Sequence, residues 1–307
     1  MQLIDDIRAA TGLEWDIATG DRWPGFITLT TFDDPHAHPS GAYTLDVTPD
    51  GVTVAGVDFE GVRNGVQTLR QLIRQCGAAL PCLHIEDRPA FETRGYYLDA
   101  TRGRVPTLDW LKHWADKLCL YKYNQLQLYI EHTFAFDSMS ETWRGSSPLT
   151  PRDILEFDDY CAERGIELVP SVSTFGHLYM ALRTQSLRDL GEFPETADEP
   201  FGFIDRMHHH TLNIGDDHAF ALSCRLIDDY LQLFRSNKFN ICADETFDLG
   251  KGRSKPLADR IGVAAMYADY VTRLCRHLEA QGRRPMMWGD IALEHPEILD
   301  RLPETVT

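Results

Sequence analysis

The sequence predicts an α/β protein: a (β/α)8 TIM-type barrel, with about five to six βα units legible, preceded by a small α+β domain. Three observations carry this. From Pro89 onward, strand-length apolar runs alternate with segments of helical period. Ahead of Pro89 the pattern is different, with short runs of period two around a Pro-Asp-Gly turn and a single amphipathic helix. The strands after Pro89 are apolar until they end in ionisable or aromatic residues, one after another. Repeated βα units imply a parallel sheet covered by helices, and polar groups at successive strand ends imply a pocket at one rim.

In chain order, Leu3, Ile4, Ile7 and Ala10 fit a short helix. Residues 26–32, 42–48 and 51–57 read as strands, the last two forming a hairpin through Pro49-Asp50-Gly51. Val62, Val66, Leu69, Leu72 and Ile73 recur at helical spacing over 60–75, and Gly77 is placed to end that helix. A strand at 81–85 completes the small domain, and Asp87-Arg88-Pro89 marks the boundary between domains at 1–88 and 89–307. The barrel strands are predicted at 95–99, 124–130, 166–173, 239–244 and 285–289. The helices between them fall at 107–120, 151–164, 217–234 and 258–281. Eight strands close such a barrel; five are legible, with 304–307 as the start of a sixth. The expectation is therefore a barrel whose C-terminal part is missing, with open strand edges that favour association into a homo-oligomer. No glycine-rich phosphate loop follows the first barrel strand, which leaves a dinucleotide-binding fold without support.

Composition excludes several functions. A formal charge of −17 disfavours nucleic acid and anionic membrane surfaces. No uncharged apolar run is long enough to span a bilayer, and the N-terminus has no signal-peptide pattern. The seven cysteines are odd in number, scattered and without C-x-x-C spacing. Reduced thiols in a cytoplasmic protein are expected rather than disulfides or a zinc centre.

The chemistry concentrates at 238–248, KFNICADETFD, where an apolar strand ends in the adjacent carboxylates Asp244 and Glu245. A barrel rim makes them catalytic candidates; a helix start is the plainer alternative, because acidic residues also favour a first turn. The other ends carry Asp99 and Arg102, Glu131 and His132, Ser173 and His177, and Trp288 and Asp290, while Arg94 precedes the first strand.

With these residues in place, the chain resembles glycoside hydrolase family 20, the β-N-acetylhexosaminidases. Arg94-Gly95-Tyr96-Tyr97-Leu98-Asp99-Ala100-Thr101-Arg102 matches the family pattern R-G-x-x-L-D-x-x-R. Tyr121-Lys122-Tyr123-Asn124 matches Y-K-x-N, 170–177 aligns with a segment ending Pro-Gly-His, and 240–245 aligns with His-x-Gly-(small)-Asp-Glu. The resemblance covers roughly 40–307. Departures are Asn240 for His, Cys242 for Gly, Phe175 for Pro, Ser171 and Ser173 for an acidic pair, and Gln127, Tyr129 and His132 for His, His and Asp.

The resemblance implies substrate-assisted retaining hydrolysis of a terminal β-linked N-acetylhexosamine (GlcNAc or GalNAc) on an oligosaccharide, without metal or cofactor. It makes Glu245 the acid and base, and Asp244 the acceptor for the acetamido N–H. Arg94, His177, Trp288, His132 and Asp290 become substrate-binding candidates. Adjacent residues of a regular strand face opposite ways, so a shared site requires the backbone to bend at Asp244-Glu245. Asp99 with Arg102 reads as a structural ion pair, Cys242 as strand packing, and His208-His209-His210 as a solvated or subsite loop. An inactive fragment or carbohydrate-binding remnant is the alternative.

Overall fold

The computed structural model describes residues 2–20, 25–32, 34, 38–202, 204–205 and 210–307, and the statements below concern these. Contacts divide the chain into two units. One comprises Met1–Gly95, His113–Asn124 and Arg164–Ile166; the other comprises Tyr96–Lys112, Gln125–Glu163 and Glu167–Thr307.

In the first unit, strands β1 (Ile27–Thr31), β2 (Tyr43–Thr48), β3 (Gly51–Gly56) and β4 (Leu83–Asp87) form a sheet in the order β1-β3-β2-β4. The predicted hairpin is there: β2 and β3 pair antiparallel with Thr48 opposite Gly51. One sheet face is apolar because alternate residues Tyr43, Leu45 and Val47 point the same way. They pack with Val54 and with Leu69 and Ile73 of the helix Phe59–Cys76. Asp58 caps that helix by accepting the Gly61 N–H, and Gly77 ends it at φ 70°. Ile7 of the helix Gln2–Thr11 joins the same core.

The second unit is built on a five-stranded sheet in sequential order: β5 (Gly95–Asp99), β6 (Gln125–Ile130), β7 (Glu167–Val172), β8 (Lys238–Asn240) and β9 (Arg284–Met286). β6 to β9 pair in parallel, the strands being joined by crossover connections that carry helices. Leu126, Leu128 and Ile130 of β6 are fully buried on one face, and Gln125 and Tyr129 are buried on the other, which is what a sheet covered on both faces demands. The chain's last residue also joins the sheet: Met287 N–H donates to Thr307 O and Thr307 N–H to Pro285 O, parallel register where a sixth strand was expected.

Several elements depart from the sequence reading: β4 lies two residues later than 81–85, and β9 ends at Met286, short of 289. The β8 ladder is shorter than 239–244, although Ile241 N–H still donates to Met286 O and Trp288 N–H to Cys242 O. The helix expected over 258–281 is two helices, Lys255–Ile261 and Val263–Glu279, broken at Gly262, whose φ of 85° no helix accommodates.

Candidate active site

Thr174 and His177 after β7, Asp290 after β9 and Tyr267 of the helix Val263–Glu279 all reach the segment after β8. Asn240 begins the turn: its Oδ1 accepts the Cys242 N–H at 2.8 Å, while its Nδ2 donates to Gln127 Oε1 at 3.0 Å. Cys242, Ala243 and Glu245 then adopt left-handed backbone, with φ of 62°, 66° and 48°. This is the bend that two neighbouring carboxylates need to face one place. Tyr267 OH donates to Ala243 O, Thr174 Oγ1 to Ile241 O, and the Glu245 N–H to Asp290 Oδ2, each within 2.9 Å. Side chains from three other elements thus hold a backbone that a free peptide avoids.

His177 comes from the loop after β7, itself left-handed at φ 51°. Its buried Nε2 lies 3.4 Å from Asp244 Oδ2 and 3.3 Å from Glu245 Oε2, close to both and hydrogen-bonded to neither. Burial lowers the imidazole pKa, but the carboxylates of Asp244, Glu131 and Glu245 outweigh it and hold the value above the ordinary one. The loops touch through backbone. A Cβ on Gly176 would meet Asp244 O at 2.7 Å, so only glycine allows this approach.

Trp288 stands over Tyr97 in an edge contact, ring centroids 4.9 Å apart, and Tyr97 lies 5.7 Å from Tyr129. Beneath them Ser171 Oγ sits 3.2 Å from Tyr97 OH and 3.4 Å from Cys242 Sγ. Burial raises the Cys242 thiol pKa well beyond the ordinary range, so this thiol packs and does not react. Asp290 is spent partly on the Glu245 N–H, and His132 lies with Nδ1 3.7 Å from Glu131 Oε2. His177 Nε2, Asp244 Oδ1, Asp290 Oδ1 and His132 Nδ1 are buried and lack hydrogen-bond partners. Orphaned polar atoms are rare in folded interiors, and four at one rim describe a site shaped for a polar ligand.

Arg94 is the sequence-selected residue that the structure takes elsewhere. It precedes β5, so it lies at the opposite end of a five-residue strand, about 16 Å long, from Asp99. Its Nε donates to Lys122 O, its Nη1 to Phe91 O, and its Nη2 to Glu60, which fixes it within the small unit. The arginine at the rim is Arg102. Its Nε lies 2.8 Å from Asp99 Oδ2 and 3.7 Å from Glu131 Oε1, its guanidinium carbon is 5.1 Å from the Tyr129 ring centre, and the side chain is one-third exposed. The Asp99–Arg102 ion pair expected inside the barrel mouth is therefore present. Position supplied the missed signal: Arg102 follows the strand and Arg94 precedes it. Tyr129, whose OH donates to Glu131 Oε1 at 2.8 Å, and Tyr97 are further site residues that sequence reasoning did not select.

His208 and His209 lie outside the described residues. His210 is buried, its ring 4.5 Å from that of Tyr179. Among the described residues, the side chains grouped as metal ligands would be are His177, Asp244 and Glu245, with one ligand atom from each within 4.8 Å of the others.

Comparison with known proteins bears on the family and the fold. Residues 2–88 match the family model "Glycosyl hydrolase family 20, domain 2", and residues 91–306 match "Glycosyl hydrolase family 20, catalytic domain". A Beta-hexosaminidase of Akkermansia muciniphila is 31% identical over 157 residues, covering 44% of this chain and 32% of that protein. A Lacto-N-biosidase of Bifidobacterium bifidum is 25% identical over 300 residues, covering 93% of this chain and 25% of that protein. The chain thus spans a third or less of the length of these curated relatives. A solved structure of a mutant Streptomyces plicatus beta-hexosaminidase in complex with product (GlcNAc) superimposes with a TM-score of 0.75 at 25% identity, covering 94% of this chain and 58% of that one. The GH20 exo beta-N-acetylglucosaminidase of Vibrio harveyi gives 0.78 at 18% identity, covering 99% and 51%, and supports the fold.

Proposed function

The chain belongs to glycoside hydrolase family 20, and on that premise we propose that the protein is an exo-acting β-N-acetylhexosaminidase, retaining and substrate-assisted. The observation that carries this reading is the left-handed turn at 242–245, which brings Asp244 and Glu245 to one cluster with His177. In the first step the acetamido oxygen of the sugar bonds to the anomeric carbon as the glycosidic C–O bond breaks. Glu245 delivers its proton to the leaving oxygen. Asp244, with Oδ1 unpartnered, accepts the acetamido N–H and offsets the positive charge of the oxazolinium. In the second step Glu245 takes a proton from water, which attacks the same carbon and reopens the ring, so configuration is retained.

Arg102 replaces Arg94 as the donor to sugar hydroxyls, since it stands at the rim with its guanidinium partly open. Trp288, against Tyr97, forms the wall for the acetamido methyl. His132 and Asp290 remain polar lining. No cofactor enters these steps. Seven free thiols fit a cytoplasmic location, and the paired edge at Thr307 leaves self-association as a further proposal for solution study.

The test is turnover of a chromogenic β-GlcNAc substrate by the full-length protein, with Glu245→Gln alongside. Loss of the acid and base should lower kcat about 10²- to 10⁴-fold with the fold intact. Wild-type turnover in Glu245→Gln would remove that residue from its role. No turnover by the native protein would favour the carbohydrate-binding alternative.

A further inference from the structure

We propose that His177, Asp244 and Glu245 also form a binding site for a zinc-class divalent cation, and that the ion competes with the sugar. The inference goes beyond the hydrolase reading and its direct test does not depend on it. Geometry carries it. A tetrahedral ion with ligands at about 2.1 Å holds its donors about 3.4 Å apart. The imidazole Nε2 already lies 3.4 Å from Asp244 Oδ2 and 3.3 Å from Glu245 Oε2. All three donor atoms lie within 4.8 Å of one another, so the carboxylates need only a modest closing movement. Glu245, whose side chain is 39% exposed, can make it by a change of rotamer.

A second observation points the same way. The His177 side chain is 4% exposed and its Nε2 is aimed between the two carboxylates without a hydrogen-bond partner. One imidazole and two carboxylates, with water on the open side of Glu245, suit zinc, nickel or copper better than magnesium or calcium, which take oxygen ligands. The same carboxylates would hold the acetamido group and the leaving oxygen, so ion and sugar cannot both be bound. Such an ion is an inhibitor of the site and takes part in no step of the reaction.

The experiment titrates the full-length protein with zinc chloride at pH 8, following heat and bound metal after dialysis, with cobalt as a spectroscopic stand-in. One ion per chain is expected, with the intense visible bands of tetrahedral cobalt. His177→Gln should weaken binding at least tenfold, and so should Asp244→Asn, which keeps the shape and removes the charge. Far-UV circular dichroism on both variants separates lost ligation from lost fold. Zinc should inhibit substrate turnover competitively, with an inhibition constant equal to the directly measured dissociation constant. Unchanged zinc affinity in both folded variants, octahedral cobalt spectra, or binding without competition would each overturn the proposal. Zinc binding that persists with no turnover by the native protein would sink the hydrolase reading and leave this one standing.

Discussion

Gly176→Ala probes how the two active loops are fixed against each other. The added Cβ would sit 2.7 Å from Asp244 O, about 0.7 Å inside an ordinary contact. The neighbour is backbone, so no rotamer change relieves it. The segment cannot easily retreat, because Asn240, Tyr267 and Asp290 hold the backbone at 242, 243 and 245. Overpacking of this kind costs about 1–3 kcal/mol, and each kcal/mol lowers Tm by about 2–4 °C in a protein of this size. A displacement of about 0.7 Å at the carboxylates should lower kcat roughly 25-fold, given about a hundredfold for a full ångström. KM should change less, since the sugar-hydroxyl contacts are made elsewhere on the rim. Gly289→Ala is the internal control: it flanks Trp288 and Asp290, yet its Cβ would have no neighbour within 4 Å. Steady-state kinetics and thermal melts on both variants read the effect. Wild-type kcat and Tm in Gly176→Ala, or equal losses in Gly289→Ala, would refute the reasoning.

The two arginines around β5 should separate cleanly: Arg102→Lys raises KM severalfold with little change in Tm, whereas Arg94→Ala lowers Tm by breaking its bonds to Glu60 and three carbonyls and leaves KM alone. For His177 the folded-state pKa lies above the ordinary 6.5, so its stabilisation is fully present below about pH 6.5 and is lost as pH rises through the folded value. Urea midpoints of wild type and His177→Gln should therefore differ most near pH 6 and converge toward pH 9; a constant gap would contradict the ion contacts to Asp244, Glu131 and Glu245. Cys242 occupies a left-handed position where the family has glycine. Cys242→Gly should cost less than about 1 kcal/mol, because relief of strain offsets lost packing, while the β-branched Cys242→Val should cost about 2 kcal/mol or more. Denaturant titration giving the reverse order would show that the thiol is not strained there.

The parallel sheet was legible because strand and helix periods alternate cleanly after Pro89, and β5 was placed to the residue at Gly95–Asp99. The acidic pair was legible because the other strands also end in ionisable or aromatic residues; the stretch alone would equally suit a helix start. What periodicity cannot carry is backbone handedness. Nothing in the spelling of Cys242-Ala243-Asp244-Glu245 announces three left-handed residues, since none is glycine or asparagine. The misplaced arginine has a similar cause. The motif around β5 contains two, and only strand direction says which of them reaches the mouth; Arg94 lies before the first paired residue and Arg102 three residues past the last. The break at Gly262 was open to reading, but a continuous apolar stripe on either side of the glycine masked it.

The strain at this site does the positioning. Of the five described non-glycine residues with positive φ, His177, Cys242, Ala243 and Glu245 lie in the two loops that meet at the carboxylates. Each costs about 1–2 kcal/mol relative to ordinary backbone, and hydrogen bonds of about 1 kcal/mol apiece from Asn240, Thr174, Tyr267 and Asp290 offset much of it. A regular strand would send Asp244 and Glu245 to opposite faces, so the strained turn is what converts adjacency in sequence into convergence in space. His177 needs no hydrogen bond to either acid for the same reason. Its loop is set by the contact of Gly176 with the Asp244 carbonyl, backbone on backbone, which leaves the imidazole and both carboxylates free to bond to whatever enters between them.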